Sequence, residues 1–232
     1  LPYENIGIVE NKGFEGVLRF KKKIQDWHFQ ADVNMTYAKS KVIFMDEPAD
    51  VEDRIKRTGK PLNQFFGLKA IGLFQTQGEV DKSPDQDGLS NQSIRTGDIK
   101  YLDLNGDGVI NGNDMHDIGY SDIPNMIFGF NFNVGYKGFD LTANFQGAKN
   151  FQQYIRFDPF NLDANALDMF RDSWTENNRN ASLPRLYSGI KQNNAQRSSF
   201  WLYDASYLKL RNLEFAYTFS MNPTFKTIGI QS

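Results

Sequence analysis

The 232-residue sequence contains no cysteine, and its apolar residues never form a long uninterrupted run. Without cysteine the chain has no disulfide framework, no thiol chemistry and no cysteine-ligated metal. The apolar runs fall far short of the roughly 18 residues that a transmembrane helix needs. The formal net charge is −2, so the chain lacks the basic surplus of a nucleic-acid-binding protein, and we expect no nucleic-acid partner.

Histidine is scarce as well, since His28 and His116 are the only two in the sequence. Neither has a plausible nucleophile beside it, and no glycine-rich phosphate loop is present. His28 alternates with apolar residues along a strand, where a polar side chain that faces water is the more common role. We therefore predict that the chain has no catalytic residues and is not an enzyme.

Aromatic residues are abundant, with 20 Phe and 10 Tyr, and many of them recur at every second position. The alternation is longest in residues 24–38 and recurs in residues 14–21, 128–136, 139–146 and 212–219. In each segment one face is aromatic or apolar, and the other is small or polar. Strands of soluble sandwiches are about half as long as the first segment, whereas strands that cross an outer membrane have its length and its aromatic ends.

The connections between these segments fall into two length classes. Residues 22–26 and 137–138 form short turns, whereas residues 39–125 and 149–206 form two long loops. Short turns on one side and long loops on the other are typical of outer-membrane barrels, whose long loops face outward. The sequence therefore predicts an all-β fold, a fragment of a large antiparallel transmembrane β-barrel with long extracellular loops.

Three features inside the long loops lead to more local predictions. Residues 64–75 read as a local hairpin or lid that does not cross the membrane, and residues 165–174 have the spacing of a short helix. Trp174, Trp201 and Tyr203 have the side chains to stack on a sugar or a peptide, but packing within the loop is the commoner use of such residues.

The clearest binding motif lies at residues 103–114 and follows the spacing of a twelve-residue calcium loop. The predicted ligands stand at the six coordinating positions of that loop: Asp103, Asn105, Asp107, Val109 through its carbonyl, Asn111 and Asp114. Gly108 stands where such loops make their sharp turn. Asp114 replaces the usual Glu with a shorter side chain, so we expect weaker binding or some tolerance of magnesium.

The same residues have a second interpretation, a run of Asx and Gly turns that binds no metal. Oxygen ligands without a nearby thiol favour Ca²⁺ over softer ions. We predict Ca²⁺ as the cofactor, with the role of stiffening an exposed loop whose ordering is otherwise entropically unfavourable.

Five segments, taken in order, resemble one known family: NKGFEG (11–16), GKPLNQFFGLKAIGLFQTQGE (59–79), GDIKYLDLNGDGVINGNDMHDIG (97–119), YKGFDLTANFQG (136–147) and DASYLKLRNLEFAYTF (204–219). This succession is similar to the SusC/RagA family of TonB-dependent outer-membrane transporters of Bacteroidetes. The resemblance implies that residues 1–232 are part of a single TonB-dependent receptor β-barrel domain, with the plug and the remaining strands absent from this chain. The absence of an initiating Met and of a signal peptide agrees with an internal piece of a longer polypeptide.

The family resemblance also implies a function and a set of partners. Members import oligosaccharides or peptides, act with a SusD-like surface lipoprotein, receive energy from TonB through an N-terminal part, and sit in outer-membrane lipid. Asp103, Asn105 and Asp107 match a segment characteristic of the family, and Asp114 fits it as well. The resemblance thus implies TonB-dependent nutrient import in the outer membrane of a Gram-negative, Bacteroidetes-like cell.

Two other functions compete with this interpretation. A calcium-binding surface β module, adhesin-like and without transport, would explain the calcium loop and the aromatic residues, but not the long lipid-like strand faces. A glycan-degrading enzyme needs two carboxylates at a defined separation, which the sequence alone cannot place. Detergent dependence separates the transporter from the adhesin, and hydrolysis of a glycan would indicate the enzyme.

Overall fold

The computed structural model describes residues 7–49, 51–156, 167–189 and 191–219. Within them lie eleven strands: β1 Gly7–Ile24, β2 Trp27–Met45, β3 Phe66–Gly67, β4 Ala70–Leu73, β5 Ile99–Tyr101, β6 His116–Asp117, β7 Met126–Tyr136, β8 Phe139–Lys149, β9 Gln152–Tyr154, β10 Leu202–Asp204 and β11 Tyr207–Tyr217. The helical elements there are α1 Gln77–Lys82, α2 Gln192–Ala195 and three 3₁₀ turns, Gly112–Asp114, Asp168–Asp172 and Ser199–Trp201. No helix in the described part of the chain is long and apolar enough to cross a membrane.

The chain divides into two compact units. We call the first the sheet unit; it comprises Asn11–Lys39, Pro124–Phe151 and Ala205–Ser232. We call the second the loop unit; it comprises Leu1–Glu10, Ser40–Ile123 and Gln152–Asp204.

Five long strands form one sheet in the order β1-β2-β7-β8-β11. The pairs β2–β7, β7–β8 and β8–β11 are antiparallel. A two-residue turn joins β7 to β8, and both of its residues have positive φ, 46° at Lys137 and 89° at Gly138. This is the turn geometry that matches the twist of neighbouring strands. The predicted antiparallel all-β architecture is therefore confirmed.

The register of the sheet unit keeps like faces together. Val33 lies opposite Phe130, whereas Asp32 lies opposite Asn131, which in turn lies opposite Asn144. Because side chains alternate between the two faces of a strand, this register gives the sheet one apolar face and one polar face. The two-faced alternation seen in the sequence is thus preserved across neighbouring strands.

The apolar face is strongly exposed, and aromatic pairs stand near its turns. Leu213 and Phe215 on β11 are 61% and 69% exposed. Beside the β7–β8 turn, the ring centroids of Trp27 and Tyr136 are 4.4 Å apart, and Phe139 stacks on Phe215 at 5.8 Å. Such a face would be unfavourable against water, and aromatic residues at strand ends are a feature of transmembrane strands.

The loop unit is built from short strand pairs around two small cores. β3 pairs with β6, β4 with β5 and β9 with β10, all antiparallel. The larger core consists of Leu68, Ile99, Tyr101, Ile110, Leu183 and Trp201. The smaller core consists of Phe74, Val80 and Ile94. Residues that are far apart in the sequence therefore meet in this unit.

Two local predictions in the long loops are wrong. Residues 64–75 do not form a hairpin, because β3 and β4 pair with β6 and β5 instead of with each other. Phe74 of this segment is wholly buried in the smaller core, and the alternative that the segment is a lid stays a prediction. A 3₁₀ turn at Asp168–Asp172 replaces the helix predicted at 165–174, and Leu167 gives that turn no side-chain cap. The first two residues of the predicted helix, 165 and 166, lie outside the described residues.

Other details refine the predicted boundaries. β2 continues to Met45, into the stretch 39–125 that the sequence assigns to the first long loop. There Val42 donates its N–H to the carbonyl of Lys60 at 2.9 Å. Trp174 and Trp201 are buried, so the prediction that these rings pack within the loop is confirmed, whereas Tyr203 is partly exposed.

Candidate metal centre

The loop at residues 103–114 connects β5 to β6 and is closed at its start by Asp103. One carboxylate oxygen of Asp103 accepts the N–H of Gly106 at 2.7 Å, and the other accepts the N–H of Gly108 at 2.9 Å. Both glycines have positive φ, 75° and 84°, which only glycine adopts at little cost. Asp103 therefore holds the sharp turn that the sequence spacing predicts.

The middle of the loop is a chain of side-chain-to-backbone hydrogen bonds. Asn105 accepts the N–H of Asp107 at 3.0 Å and donates its amide to the Asp107 carboxylate at 2.8 Å. Asp107 in turn accepts the N–H of Val109 at 2.9 Å. The structure thus brings the first three predicted ligands together in one hydrogen-bonded series.

The end of the loop is tied back to its beginning by Asp114, whose side chain is wholly buried. One oxygen of Asp114 accepts the N–H of Leu104 at 2.8 Å, and the other accepts the N–H of Asn111 at 2.9 Å. Asn111 caps the 3₁₀ turn by accepting the N–H of Asn113 at 2.7 Å. The sequence placed Asp114 correctly at the end of the loop, but its role as a link between the two ends was not predicted.

The charge of the loop is the observation that bears on a cation. In the described part of the chain, no Lys, Arg or His side chain forms an ion pair with Asp103, Asp107 or Asp114. A buried carboxylate without a cationic partner is costly, and each oxygen of Asp103 keeps a second lone pair beyond its hydrogen bond. The donor set therefore fits a hard divalent cation.

Two further observations define how far this fit goes. Among the described residues, no group of three or more His, Cys, Asp or Glu side chains is gathered as a metal site. The predicted ligand set contains three carboxylates, those of Asp103, Asp107 and Asp114, so in this structure these three are not gathered around one point. The hydrogen bonds of the loop are also those of successive Asx turns, so the loop geometry agrees with both interpretations given by the sequence.

A second carboxylate-rich segment, residues 83–93, packs against this loop and was missed by sequence reasoning. Asp85 donates its N–H to the carbonyl of Gly108 at 2.9 Å, and the Asp85 carbonyl accepts the N–H of Ile110 at 2.7 Å. The Asp85 side chain accepts the N–H groups of Gly88 and Ser90. The Asp-x-Asp-Gly spacing at 85–88 was the signal that could have revealed this turn.

The lowered pKa of Asp87 predicts that this segment loses stability in acid. Burial alone would raise that pKa, but hydrogen bonds from Ser93, Leu89 and Asn91 outweigh burial and lower it to about 2. A lowered carboxylate pKa gives stability that is present above the usual value near 4 and is lost as the pH falls toward 2. We expect a loss of about 1 kcal/mol, because solvent screens a partly exposed group.

Pepsin, which is active over this pH range, provides the measurement. In the purified protein, cleavage after the exposed Leu89 should rise as the pH falls from about 4 to about 2. The variant Asp87→Asn should be cleaved readily at every pH in that interval. Equal acid dependence in both proteins would contradict the assignment to Asp87.

A buried polar cluster joins distant parts of the loop unit around Asp98. The Asp98 carboxylate accepts the hydroxyl of Tyr187 at 2.8 Å, the side-chain amide of Asn194 at 2.9 Å and the N–H of Arg95 at 2.9 Å. The ammonium of Lys191 lies 3.9 Å away. Burial raises the pKa of Asp98, although these hydrogen bonds oppose the rise. No regular spacing marks these residues, so the cluster could not be predicted from a local pattern.

The two histidines take part in no catalytic arrangement that the described residues show. The ring of His28 lies 2.7 Å from a carboxylate oxygen of Asp140 on the polar face of the sheet, next to Gly135. His116 lies in β6, and its Nδ1 atom is buried without a hydrogen-bond partner among the described residues.

Comparison with known proteins connects these features to a family. No protein-family model matches the chain. It is 27% identical to TonB-dependent receptor P26 of Formosa agariphila over 229 residues, 92% of this chain and 22% of that protein. It is 22% identical to the TonB-dependent receptor SusC of Bacteroides thetaiotaomicron over 238 residues, 97% of this chain and 22% of that protein.

Solved structures with a similar fold belong to the same group. The RagAB peptide transporter matches with a TM-score of 0.65 and 20% identity, covering 93% of this chain and 23% of that chain. The RagAB peptide importer in its closed-closed state matches with a TM-score of 0.63 and 21% identity, covering 96% of this chain and 24% of that chain.

The chain therefore spans about a quarter or less of the length of the relatives that it matches. Within that span the match is nearly continuous, and the fold is that of a barrel segment with one apolar and one polar face. Both the sequence relatives and the structural neighbours agree with the resemblance carried by the five sequence segments. Over nearly its whole length the chain is therefore similar to TonB-dependent receptors, SusC among them, and its fold is that of a segment of the RagAB transporter's β-barrel.

Proposed function

We propose that the protein containing this chain imports oligosaccharide or peptide nutrients across the outer membrane with energy from TonB. The observation that carries the proposal is the two-faced five-stranded sheet, combined with relatives named TonB-dependent receptors. The RagAB neighbours, described as peptide transporters, support the peptide alternative. The relatives are named as receptors and not as enzymes, which supports the expectation that the chain has no catalytic role.

The sheet unit and the loop unit have different roles in such a transporter. The apolar face of the sheet contacts lipid, and its polar face, with Asp32, Asn131 and Asn144 in one row, lines a water-filled interior. The loop unit, with its two small cores and its carboxylate loop, supplies ordered surface for substrate and for a SusD-like lipoprotein. The adhesin-like alternative gives no reason for an exposed apolar sheet face.

Uptake by cells tests the proposal. Cells that carry the complete gene should accumulate labelled oligosaccharide or peptide, and deletion of either the receptor gene or TonB should abolish uptake. The native polypeptide should be several times larger than 26.6 kDa and should stay in the membrane until detergent is added. A soluble 26.6 kDa protein that binds Ca²⁺ would instead support the surface module.

Cysteine labelling tests the assignment of the two sheet faces. Cysteines introduced at Phe29 and Phe130 should react with a lipid-soluble probe, because these side chains lie on the apolar face. Cysteines at Thr36 and Asn131 should be shielded from that probe. This chain contributes no native cysteine, so a variant in which any cysteine elsewhere in the polypeptide is replaced makes each label report one position. The opposite labelling pattern would overturn the assignment.

We further propose that the 103–114 loop binds Ca²⁺. Asp103, Asn105, Asp107, the Val109 carbonyl, Asn111 and Asp114 would hold the ion. The ion would supply the positive charge that the three carboxylates of this loop lack. Support comes from the burial of Asp114 and from the hydrogen-bonded series that joins the first three ligands. Its role would be structural, since ordering this loop costs conformational entropy.

The variant Asp107→Ala tests this calcium site. Removal of one of three carboxylates should weaken Ca²⁺ binding at least about tenfold, because charge count sets affinity in such loops. Calorimetric titration of the purified transporter measures the change. Asn113→Ala is the matched control, because Asn113 lies in the same loop but is not a predicted ligand, and it should bind as the unmodified protein does. Equal affinity of Asp107→Ala and Asn113→Ala would reject the site.

A further inference from the structure

A buried residue, Gln86, connects the 103–114 loop to a distant helix by hydrogen bonds, beside the apolar core that Ile110 and Trp201 share. The Val109 carbonyl, a predicted ligand, and the Ile110 N–H belong to the same planar peptide group. In a trans peptide the two groups point in opposite directions. The Ile110 N–H donates to the carbonyl of Asp85 at 2.7 Å, while Asp85 donates back to the loop at Gly108. The orientation of the Val109 peptide therefore determines the contact with Asp85.

Gln86, the residue after Asp85, carries this contact into the interior. Its side chain is buried and accepts the N–H of Tyr101 at 2.8 Å. Its amide donates to the Ile99 carbonyl at 3.1 Å and to the side-chain oxygen of Asn193 at 3.2 Å. Gln86 thus binds both strand β5 and helix α2, two elements about a hundred residues apart in the sequence.

Helix α2 depends on such polar contacts. It has four residues, no side-chain cap and no buried apolar side chain. Asn193 donates to the Ile99 carbonyl at 2.9 Å, and the Asn193 carbonyl accepts the hydroxyl of Tyr101 at 2.8 Å. Asn194 accepts the N–H of Ile99 at 2.9 Å. A helix this short is not stable by itself, so these amides decide whether it forms.

The same contacts extend to the residues that follow the helix. The carbonyl of Asn194 accepts the indole N–H of Trp201 at 2.8 Å. Leu68, which belongs to the larger core, accepts the N–H of Ser199 at its carbonyl and donates its own N–H to the carbonyl of Arg197, both at 2.9 Å. Loss of order in α2 would therefore spread to residues 191–201 as a local opening, with the rest of the core still packed.

We propose that Gln86 is a positioning residue that couples cation binding in the 103–114 loop to the order of residues 191–201. The inference rests on the proposed calcium site and names its consequence. A cation that fixes the Val109 peptide stabilises the Asp85 contact, holds the Gln86 side chain toward Asn193 and keeps α2 formed. Without the cation the 191–201 segment opens more often, although no residue of that segment belongs to the predicted ligand set.

Hydrogen–deuterium exchange on the complete transporter tests the coupling, with Ca²⁺ alone as the probe and a chelator as the reference. In the unmodified protein, Ca²⁺ should slow exchange in residues 103–114 and in residues 191–201. The second effect should be about fivefold, the size expected of one net hydrogen bond. Residues 52–60, which are held by Glu47 and have no contact with Gln86 in the described hydrogen bonds, should not respond.

Two variants test whether the Gln86 side chain itself carries the coupling. In Gln86→Met, which has a similar length but no donor, residues 103–114 should still respond to Ca²⁺ while residues 191–201 should not. In the matched control Gln64→Met, both segments should respond, because the side chain of this buried glutamine donates to the carbonyls of Phe65 and Gly119, which lie outside both segments.

The outcomes distinguish the coupling from the calcium site. If neither segment of the unmodified protein responds, the calcium proposal fails and the coupling fails with it. If only residues 103–114 respond, the calcium site stands and the coupling is rejected, whether or not Gln86→Met folds. If residues 191–201 of Gln86→Met respond as in the unmodified protein, Gln86 is not the link.

Discussion

Gly97→Ala should lower the free energy of opening the contact between the two long loops by about 3 kcal/mol. A Cβ atom on Gly97 would lie 2.5 Å from a ring carbon of Trp174 and 2.8 Å from the Cβ of Arg185. The backbone φ of Gly97 is 87°, which costs an alanine about 1 kcal/mol, and forced overpacking adds about 2 kcal/mol. Trp174 is buried and cannot simply move into solvent.

The measurement is the exchange of the Trp174 and Leu183 amides, which take part in the bridge between residues 173 and 183. An opening free energy lowered by about 3 kcal/mol corresponds to roughly hundredfold faster exchange. Gly88→Ala is the matched control, since Gly88 also has positive φ, 71°, but no atom lies within 4 Å of its added Cβ. Gly88→Ala should lower the free energy of local opening by only about 1 kcal/mol, and only in the segment around residue 88. Equal effects of the two substitutions would show that the Trp174 contact is not the cause.

Asp98→Ala should lower the free energy of opening of residues 191–196 by about 3 kcal/mol or more. The substitution leaves the Tyr187 hydroxyl, the Asn194 amide and the Arg95 N–H without their acceptor in a buried site. Each unsatisfied buried donor costs about 1 kcal/mol or more. The predicted readout is faster amide exchange in residues 191–196. Asp81→Ala, in an exposed position with one bond to Gln77, should change stability by less than about 0.5 kcal/mol.

The pH dependence of the same site provides a second readout. Burial raises the pKa of Asp98, so the folded protein holds this proton more strongly than the unfolded chain does. Its contribution to stability is fully present below the usual carboxylate pKa and is lost as the pH rises through the folded value. Exchange in residues 191–196 should therefore slow as the pH falls through the raised pKa of Asp98 toward the usual carboxylate value, after correction for intrinsic rates. Asp98→Asn should remove this dependence, and an unchanged dependence would assign it to another group.

The parts of the fold that the sequence predicted are those with a local repeating pattern. The alternation along β2, β7 and β8 arises from the two-residue period of a strand, so it can be recognised without knowing the partner strands. The turns of the 103–114 loop could be predicted for a similar reason, because their hydrogen bonds join residues of one continuous segment, and Ca²⁺ binding there stays a prediction. Only the internal role of Asp114 needed the structure.

The parts that the sequence missed depend on distant partners. Gln86 and Asn193 are 107 positions apart, and Asp98 and Asn194 are 96 apart, so no local pattern records their pairing. The helix predicted at 165–174 failed for a different reason. The spacing between Leu167 and Phe170 is three residues, which a 3₁₀ turn also satisfies.

The bonds from helix α2 to the β5 backbone have a consequence for the protein in its natural setting. They join side-chain amides and peptide groups, and none of these gains or loses a proton at ordinary pH. Hydrogen bonds between neutral groups are also little affected by dissolved ions, in contrast to exposed ion pairs. These bonds therefore do not themselves change with salt or acidity, and a response of helix α2 to pH or to Ca²⁺ must reach it through neighbouring residues, such as Asp98 bonded to Asn194.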